Sequence, residues 1–337
     1  MPPFSQKNIY TKPFLANSKV IFDVPLGGKI RRMNIVIQGN VTLSGGTANG
    51  TVSGEGAPAN LVSRIYVNAI PANGSRYPGG QIVNCKTRSL LRYAVAQRQG
   101  KFVADLGGST LGGGANGTYA VYMSIPIYFA DGSLNGAQGV ATALNTDPGT
   151  YSSVQVEVDT ANVAACLTGN NATVDYSGLT VQYVEDRVQA SGDTLVQYQE
   201  DHLMLIAATQ ERALDPAMPQ DGSFTSMLIL GEQSSALTLS DLLFQRLTIT
   251  GPTIDFDKYA QDIRQSMIDD EWLDPSTTAT GMYFADFTDG TLANSVAAGQ
   301  LLTQFKVNNV SGANLDDLLI YTRRVFAPLP AKSSSGN

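Results

Sequence analysis

Carboxylates crowd one stretch of this chain: Asp255, Asp257, Asp269, Asp270, Glu271 and Asp274. Calcium takes roughly six to eight oxygen ligands, so Asp255, Asp257, Asp269 and Asp270 are the candidate ligands for such an ion. The spacing is not that of an EF-hand, and the alternative is an acidic face turned to solvent or to a partner. Catalytic chemistry has less to work with. A single histidine, His202, lies beside Glu200 and Asp201 in a strand pattern, and no G-x-S-x-G elbow accompanies it, so a structural role fits better than a nucleophile's base. Cys85 and Cys166 are two small core residues rather than a disulfide framework, and with one histidine they do not space as a zinc site. Gly107-Gly108 and Gly112-Gly113-Gly114 lack the Lys-Ser/Thr that a phosphate cradle needs. A pair of glycosidase-type acids would leave no mark in the sequence. No catalytic residue, cofactor-binding residue or cofactor is assigned, calcium apart.

The composition points toward assembly. Of 337 residues 43% are hydrophobic and only 15% charged, with 33 Gly and 15 Pro, where about 25% charged is usual. Charge is costly to bury at an interface unless it is paired, so a chain sparing with charge suits flanks covered by neighbours. The net charge of -7 argues against a coat that neutralises phosphates, and no sequence-specific nucleic-acid partner is expected. MPPFSQKNIYTKPF offers no apolar signal region, and no run of about 18 apolar residues could span a bilayer. Synthesis and folding in a cytoplasm are expected.

Two copies of one plan organise these residues. Alternating strands are predicted at 19–25, 32–43, 59–70, 119–129, 154–158 and 179–184, and again at 195–207, 224–230, 242–250, 282–287, 301–307 and 318–326. In 32–43, Met33, Ile35, Ile37, Val41 and Leu43 share one face while Arg32, Asn34, Gln38 and Asn40 share the other. One helix interrupts each set, at 84–99 and at 256–272. Strand, helix and strand recur in the same order, which predicts two β-sandwiches in tandem, an all-β chain with domains 1–188 and 189–337. A basic arm opens the first domain, and a Pro/Ser/Gly-rich mobile tail from 328 closes the second.

Gly56-Ala57-Pro58-Ala59-Asn60-Leu61-Val62-Ser63-Arg64-Ile65-Tyr66 resembles the segment before a long strand in the major capsid proteins of tectiviruses, which carry a similar G-P-A-N-L-V-x-R stretch. Phe22-Asp23-Val24 before a long alternating strand, and the strand ending Pro126-Ile127-Tyr128, resemble the same family. The resemblance covers most of the first half, and the second half only in layout. It implies a double jelly roll of the tectivirus, corticovirus and adenovirus-hexon lineage, typical of lipid-containing icosahedral bacteriophages. Two eight-stranded jelly rolls would stand side by side, and three subunits would form a pseudohexagonal capsomer of a virion shell, often over an internal membrane. Implied partners are further copies, neighbouring capsomers, minor capsid, penton or membrane proteins, and lipid headgroups. The long Gln/Ala-rich N-terminal helix of tectiviruses is missing. A non-viral carbohydrate-binding or adhesive module remains the alternative, with Trp272 as the lone Trp, and a sandwich hydrolase is the third reading.

Charge suggests two further sites. Lys7, Lys12, Arg31 and Arg32, with Lys19 and Lys29, oppose Asp23 alone in the first 32 residues, and Arg323, Arg324 and Lys332 follow the last acid. Basic ends of an acidic protein are expected at the inner base of a shell, facing lipid phosphates. The first helix region carries Lys86, Arg88, Arg92, Arg98 and Lys101 with no acid. The second carries Asp262, Asp269, Asp270 and Glu271 among its seven acids against Lys258 and Arg264. Opposite helices are expected to lie near one another and to set the order of packing.

Overall fold

The computed structural model describes residues 4–45, 51–52, 60–97, 116–130, 140–161, 167–168, 173–188, 192–214, 218–233, 238–252, 254–269, 280–288, 291–299, 301–311 and 316–330. The first half contains β1 (Phe4–Pro13), β2 (Lys19–Asp23), β3 (Lys29–Ser44), β4 (Thr51–Val52), β5 (Val62–Pro71), β6 (Gly80–Lys86), α1 (Thr87–Gln97), β7 (Gly117–Tyr128), β8 (Leu144–Asn145), β9 (Tyr151–Thr160), β10 (Leu167–Thr168) and β11 (Thr173–Val188). The second contains β12 (Val196–Ile206), β13 (Gln210–Leu214), β14 (Ser223–Gln233), β15 (Thr238–Leu239), β16 (Phe244–Thr250), β17 (Asp255–Tyr259), α2 (Ala260–Asp269), β18 (Met282–Asp286), β19 (Val296–Ala297), β20 (Leu302–Val307) and β21 (Asp316–Phe326).

Both halves have one topology. The main strands of the first are β1, β2, β3, β5, β6, β7, β9 and β11, paired in the orders β1-β11-β3-β7 and β2-β9-β5-β6. Those of the second are β12, β13, β14, β16, β17, β18, β20 and β21, paired as β12-β21-β14-β18 and β13-β20-β16-β17. In each half the first, eighth, third and sixth strands make one sheet and the second, seventh, fourth and fifth make the other. That is the jelly-roll order, and the helix falls between the fifth and sixth strands both times.

The helices begin later than the periodicity suggests. Residues 84–86 finish β6 and 255–259 form β17, so each fifth strand runs straight into its helix. No Gly or Pro punctuates either joint, which is why the pattern reads as helix from the strand onward. The strand β1 also escaped prediction, since FSQKNIYTKP has no clean alternation.

The cores follow from side-chain parity. Met33, Ile35 and Ile37 of β3 meet Val121 to Ile127 of β7 and Ile65, Val67, Val156 and Val158 across the first sandwich. Gly39 is required here, because a Cβ at that position would lie 2.0 Å from the Gly178 carbonyl oxygen of β11. In β14, Met227 and Ile229 point into the second core while Leu228 and Leu230 point into the first. In β21, Leu318 and Ile320 likewise oppose Leu319 and Tyr321. This sheet is covered on both faces, so its strands are continuous apolar runs and alternation fades.

Candidate functional site: the junction between sandwiches and the open flank

One pairing joins the two halves in a single ten-stranded sheet. β6 runs parallel to β12, with Val83 opposite Gln199 and Asn84 opposite Glu200. α1 fills the space behind it and presses on the outer face of the β12-β21-β14-β18 sheet. Tyr93 packs 5.0 Å from the Tyr321 ring and 5.8 Å from the Phe284 ring.

A buried polar network lies inside this contact. The Gln199 side-chain amide donates to the Tyr128 carbonyl at 2.7 Å and to Gln197 Oε1 at 2.9 Å, and its own oxygen accepts from Tyr321 at 2.8 Å. Arg323, wholly buried, donates to Gln197 Oε1 at 2.6 Å, to the Tyr128 carbonyl at 3.1 Å and to the Tyr93 hydroxyl. Its guanidinium also stacks on the Tyr93 ring. Such a network tolerates few arrangements, because each partner displaced would strand a polar group away from water.

Acids of the second sandwich receive the bases of the first. The fully buried Asp201 carboxylate accepts from Arg64 at 2.8 Å, from Ser89 Oγ at 2.9 Å and from the Lys86 backbone N–H. It thereby caps the start of α1 from another domain, where free N–H groups and the helix dipole favour a negative charge. Arg88 pairs with Glu232 of β14 at 2.9 Å. Burial pushes the Glu232 carboxyl above its ordinary range while Arg88 and Lys86 pull it down. Burial raises Asp317 as well, again with Lys86 opposing.

The expected interface residues are therefore distributed differently from a basic helix facing an acidic one. Arg88 is engaged within the chain by Glu232, Arg92 is buried, and Lys86 sits among Asp201, Glu232 and Asp317. The helices do approach each other, through Phe284: Tyr93 packs on its ring and Met267 Sδ accepts its backbone N–H at 3.2 Å. On α2 only Ala260, Ile263 and Met267 are buried. Asp262 and Asp269 are exposed, and Asp269 accepts from Gln265 at 2.7 Å. Arg264 pairs with Asp241, which also accepts from the Gly281 N–H and Tyr283. Although burial pushes it up, Asp241 is held below its ordinary range by these donors. Arg98, Asp270 and Glu271 lie outside the described residues.

Of the calcium candidates, Asp270 lies outside the described residues, and Asp257 and Asp269 are held by different partners. Asp257 accepts from Arg246, at 2.5 Å from Nε, and from Thr248 at 3.1 Å. The Arg246 hydrogen bond, ahead of an opposing contribution from burial, lowers its pKa. Asp255 is exposed on the same strand. Among the described residues no group of three His, Cys, Asp or Glu side chains is placed to hold a metal ion.

The basic ends also need correction. Arg323 and Arg324 are buried, Arg323 in the junction and Arg324 within the second sandwich on Glu200 at 2.9 Å and Asp221, so neither presents its charge to a membrane. Lys29 is buried and donates to the Gly192 carbonyl, and Arg32 pairs with Asp186. Arg31 and Lys12 are exposed, and Lys7 lies on β1. Among the described residues no helix is long and apolar enough to cross a membrane.

No protein-family model matches this sequence, and no curated protein matches it. Solved structures do match across nearly the whole chain. The STIV major capsid protein superposes with a TM-score of 0.69 at 10% identity, covering 99% of this chain and 100% of its own. The Faustovirus major capsid protein gives 0.65 at 9%, covering 97% and 90%. The major capsid protein of bacteriophage PM2 gives 0.62 at 9%, covering 96% and 98%. The fold of this chain is thus the double jelly roll of viral major capsid proteins.

Proposed function

We propose that this chain is the major capsid protein of an icosahedral virus, a structural building block and not an enzyme. Three copies would form a pseudohexagonal homotrimer, which neighbouring capsomers and minor or penton proteins would join into a virion shell. The observation that carries this reading is that two jelly rolls of identical strand order are welded into one rigid unit by the Arg323–Gln197–Gln199 network and the β6–β12 pairing. Three such units supply six similar bodies around a three-fold axis. A membrane beneath the shell, contacted through the exposed Arg31 at the first domain's edge, belongs to the same proposal.

Sedimentation equilibrium together with negative-stain imaging tests it. The expected result is a species near 107 kDa, three times the 35.7 kDa chain, seen as flat hexagonal particles. A monomer at micromolar concentration that instead binds glycans would overturn it in favour of a carbohydrate-binding module.

A further inference from the structure

The internal junction uses four parts: the edge of the fifth strand, β6; the helix after it, α1; the edge of the first strand, β12; and the outer face of the sheet that β12 begins. Each part has a counterpart elsewhere in the chain that is left open. β17 is the other fifth strand, and α2 follows it as α1 follows β6. β1 is the other first strand, and β1-β11-β3-β7 is its sheet. Where β6 is largely buried, β17 alternates exposed and half-buried residues, with Tyr259 53% exposed. Where Val196, Gln197 and Gln199 of β12 are buried, Tyr10, Thr11, Lys12 and Pro13 of β1 are exposed.

We propose that these open parts belong together between copies: β17 and α2 of one subunit seat on β1 and the outer face of the β1-β11-β3-β7 sheet of the next. The inference rests on the self-assembling role proposed above and names its surface. The occupant is a second copy of this chain, because the equivalent strand and helix, β6 and α1, already seat on the equivalent sheet inside the molecule. β17 and β1 are edge strands with unpaired backbone groups, which invite a further strand. Their expected pairing is parallel, as for β6 and β12. Phe256 and Asp257 stand three and two residues before the end of β17, where Val83 and Asn84 stand in β6, so they are the residues expected to pair.

Charge gives the order of packing. Inside the chain a basic strand and helix, with Lys86 and Arg88, meet the acids Asp201, Glu232 and Asp317. At the open parts the signs are exchanged. β17 and α2 carry Asp255, Asp257, Asp262 and Asp269 against Lys258 and Arg264, with Asp257 paired to Arg246, and β1 carries Lys7 and Lys12 with no acid. Second sandwich against first is then matched, while second against second would set acid against acid. The outer sheet face supplies the half-buried, uncharged Gln38, Ser124 and Thr180 beside an Arg32–Asp186 ion pair that is closed on itself, which suits a surface that must stay soluble before it is covered.

Hydrogen exchange of the free chain and of the assembled particle tests the surface, with two variants beside it. Assembly is expected to slow exchange in Phe4–Pro13 and Asp255–Tyr259. Gln38→Glu with Ser124→Glu is expected to weaken self-association at least about tenfold while the circular dichroism of the chain stays unchanged. Adding Asp262→Lys with Asp269→Lys should recover part of that loss. Particles that form with wild-type affinity in the Gln38→Glu, Ser124→Glu variant, and in which both strands exchange as fast as in the free chain, would overturn this surface and leave the capsomer standing. A wild-type chain that stays monomeric would overturn the capsomer reading itself, and this surface with it.

Discussion

α1 and α2 occupy the same place in the same topology and are treated differently by their surroundings. α1 is buried from Ser89 to Ala96 without a break, including the charged Arg92. α2 buries one stripe, Ala260, Ile263 and Met267, and leaves Gln261, Asp262, Gln265 and Asp269 in solvent. The sequences differ to match: Leu90-Leu91 and Ala94-Val95-Ala96 are apolar around the whole helix, while α2 is amphipathic. An element sandwiched between two layers needs apolar residues on every side, and one lying on a single layer needs them on one. The contrast separates the contacts the chain makes for itself from a helix face that it leaves in solvent.

Breaking the inner helix should have the largest effect. Tyr93→Ala removes a ring packed on Tyr321 and Phe284 and a partner of Arg323, so urea unfolding is expected to show a loss of about 3–5 kcal/mol. Arg88→Ala leaves the Glu232 carboxylate buried without its guanidinium, with an expected loss of about 3 kcal/mol by the same measurement. Asp262→Lys on the open face of α2 should change the stability of the free chain by less than about 0.5 kcal/mol, although it alters association. If α1 and α2 variants prove equally damaging, the contrast between the helices has no energetic content.

The smallest expected effect concerns pH. Glu232 and Asp317 have carboxyl pKa values raised in the folded chain, chiefly by burial. A raised carboxylate binds its proton more tightly when folded, so its contribution is fully present below the unfolded pKa of about 4 and is lost as pH rises through the folded value. Glu232→Gln with Asp317→Asn should therefore differ from wild type in melting temperature by an amount that changes between pH 4 and neutrality and then levels off. A difference constant across that range would show that neither group titrates as burial requires.

What the sequence revealed depended on how each strand is covered. β3, with a core face and a half-polar face, shows its alternation plainly, and its boundaries are nearly those expected. β14 and β21 are apolar on both faces because α1 and the second core cover them, so the second half read faintly although its topology is the same. The junction was not legible. Asp201 meets Arg64 and Ser89 from more than a hundred residues away, and no local pattern carries such a pairing. Gln197 and Gln199 left a trace as two amides alternating in a strand, a pattern that fits a buried polar face as readily as a wet one. The opposite charges of the helix regions were real, but the acids that meet the basic one lie on β12, β14 and β21.

In the proposed ring, first and second sandwiches alternate, and each junction between copies repeats the one inside. An electron cryomicroscopy map of the assembled particle measures this directly. The expected map shows three chains with β17 beside β1 of the next subunit and α2 covered by the β1-β11-β3-β7 sheet. A map in which like sandwiches touch, or in which α2 remains open to solvent, would contradict it.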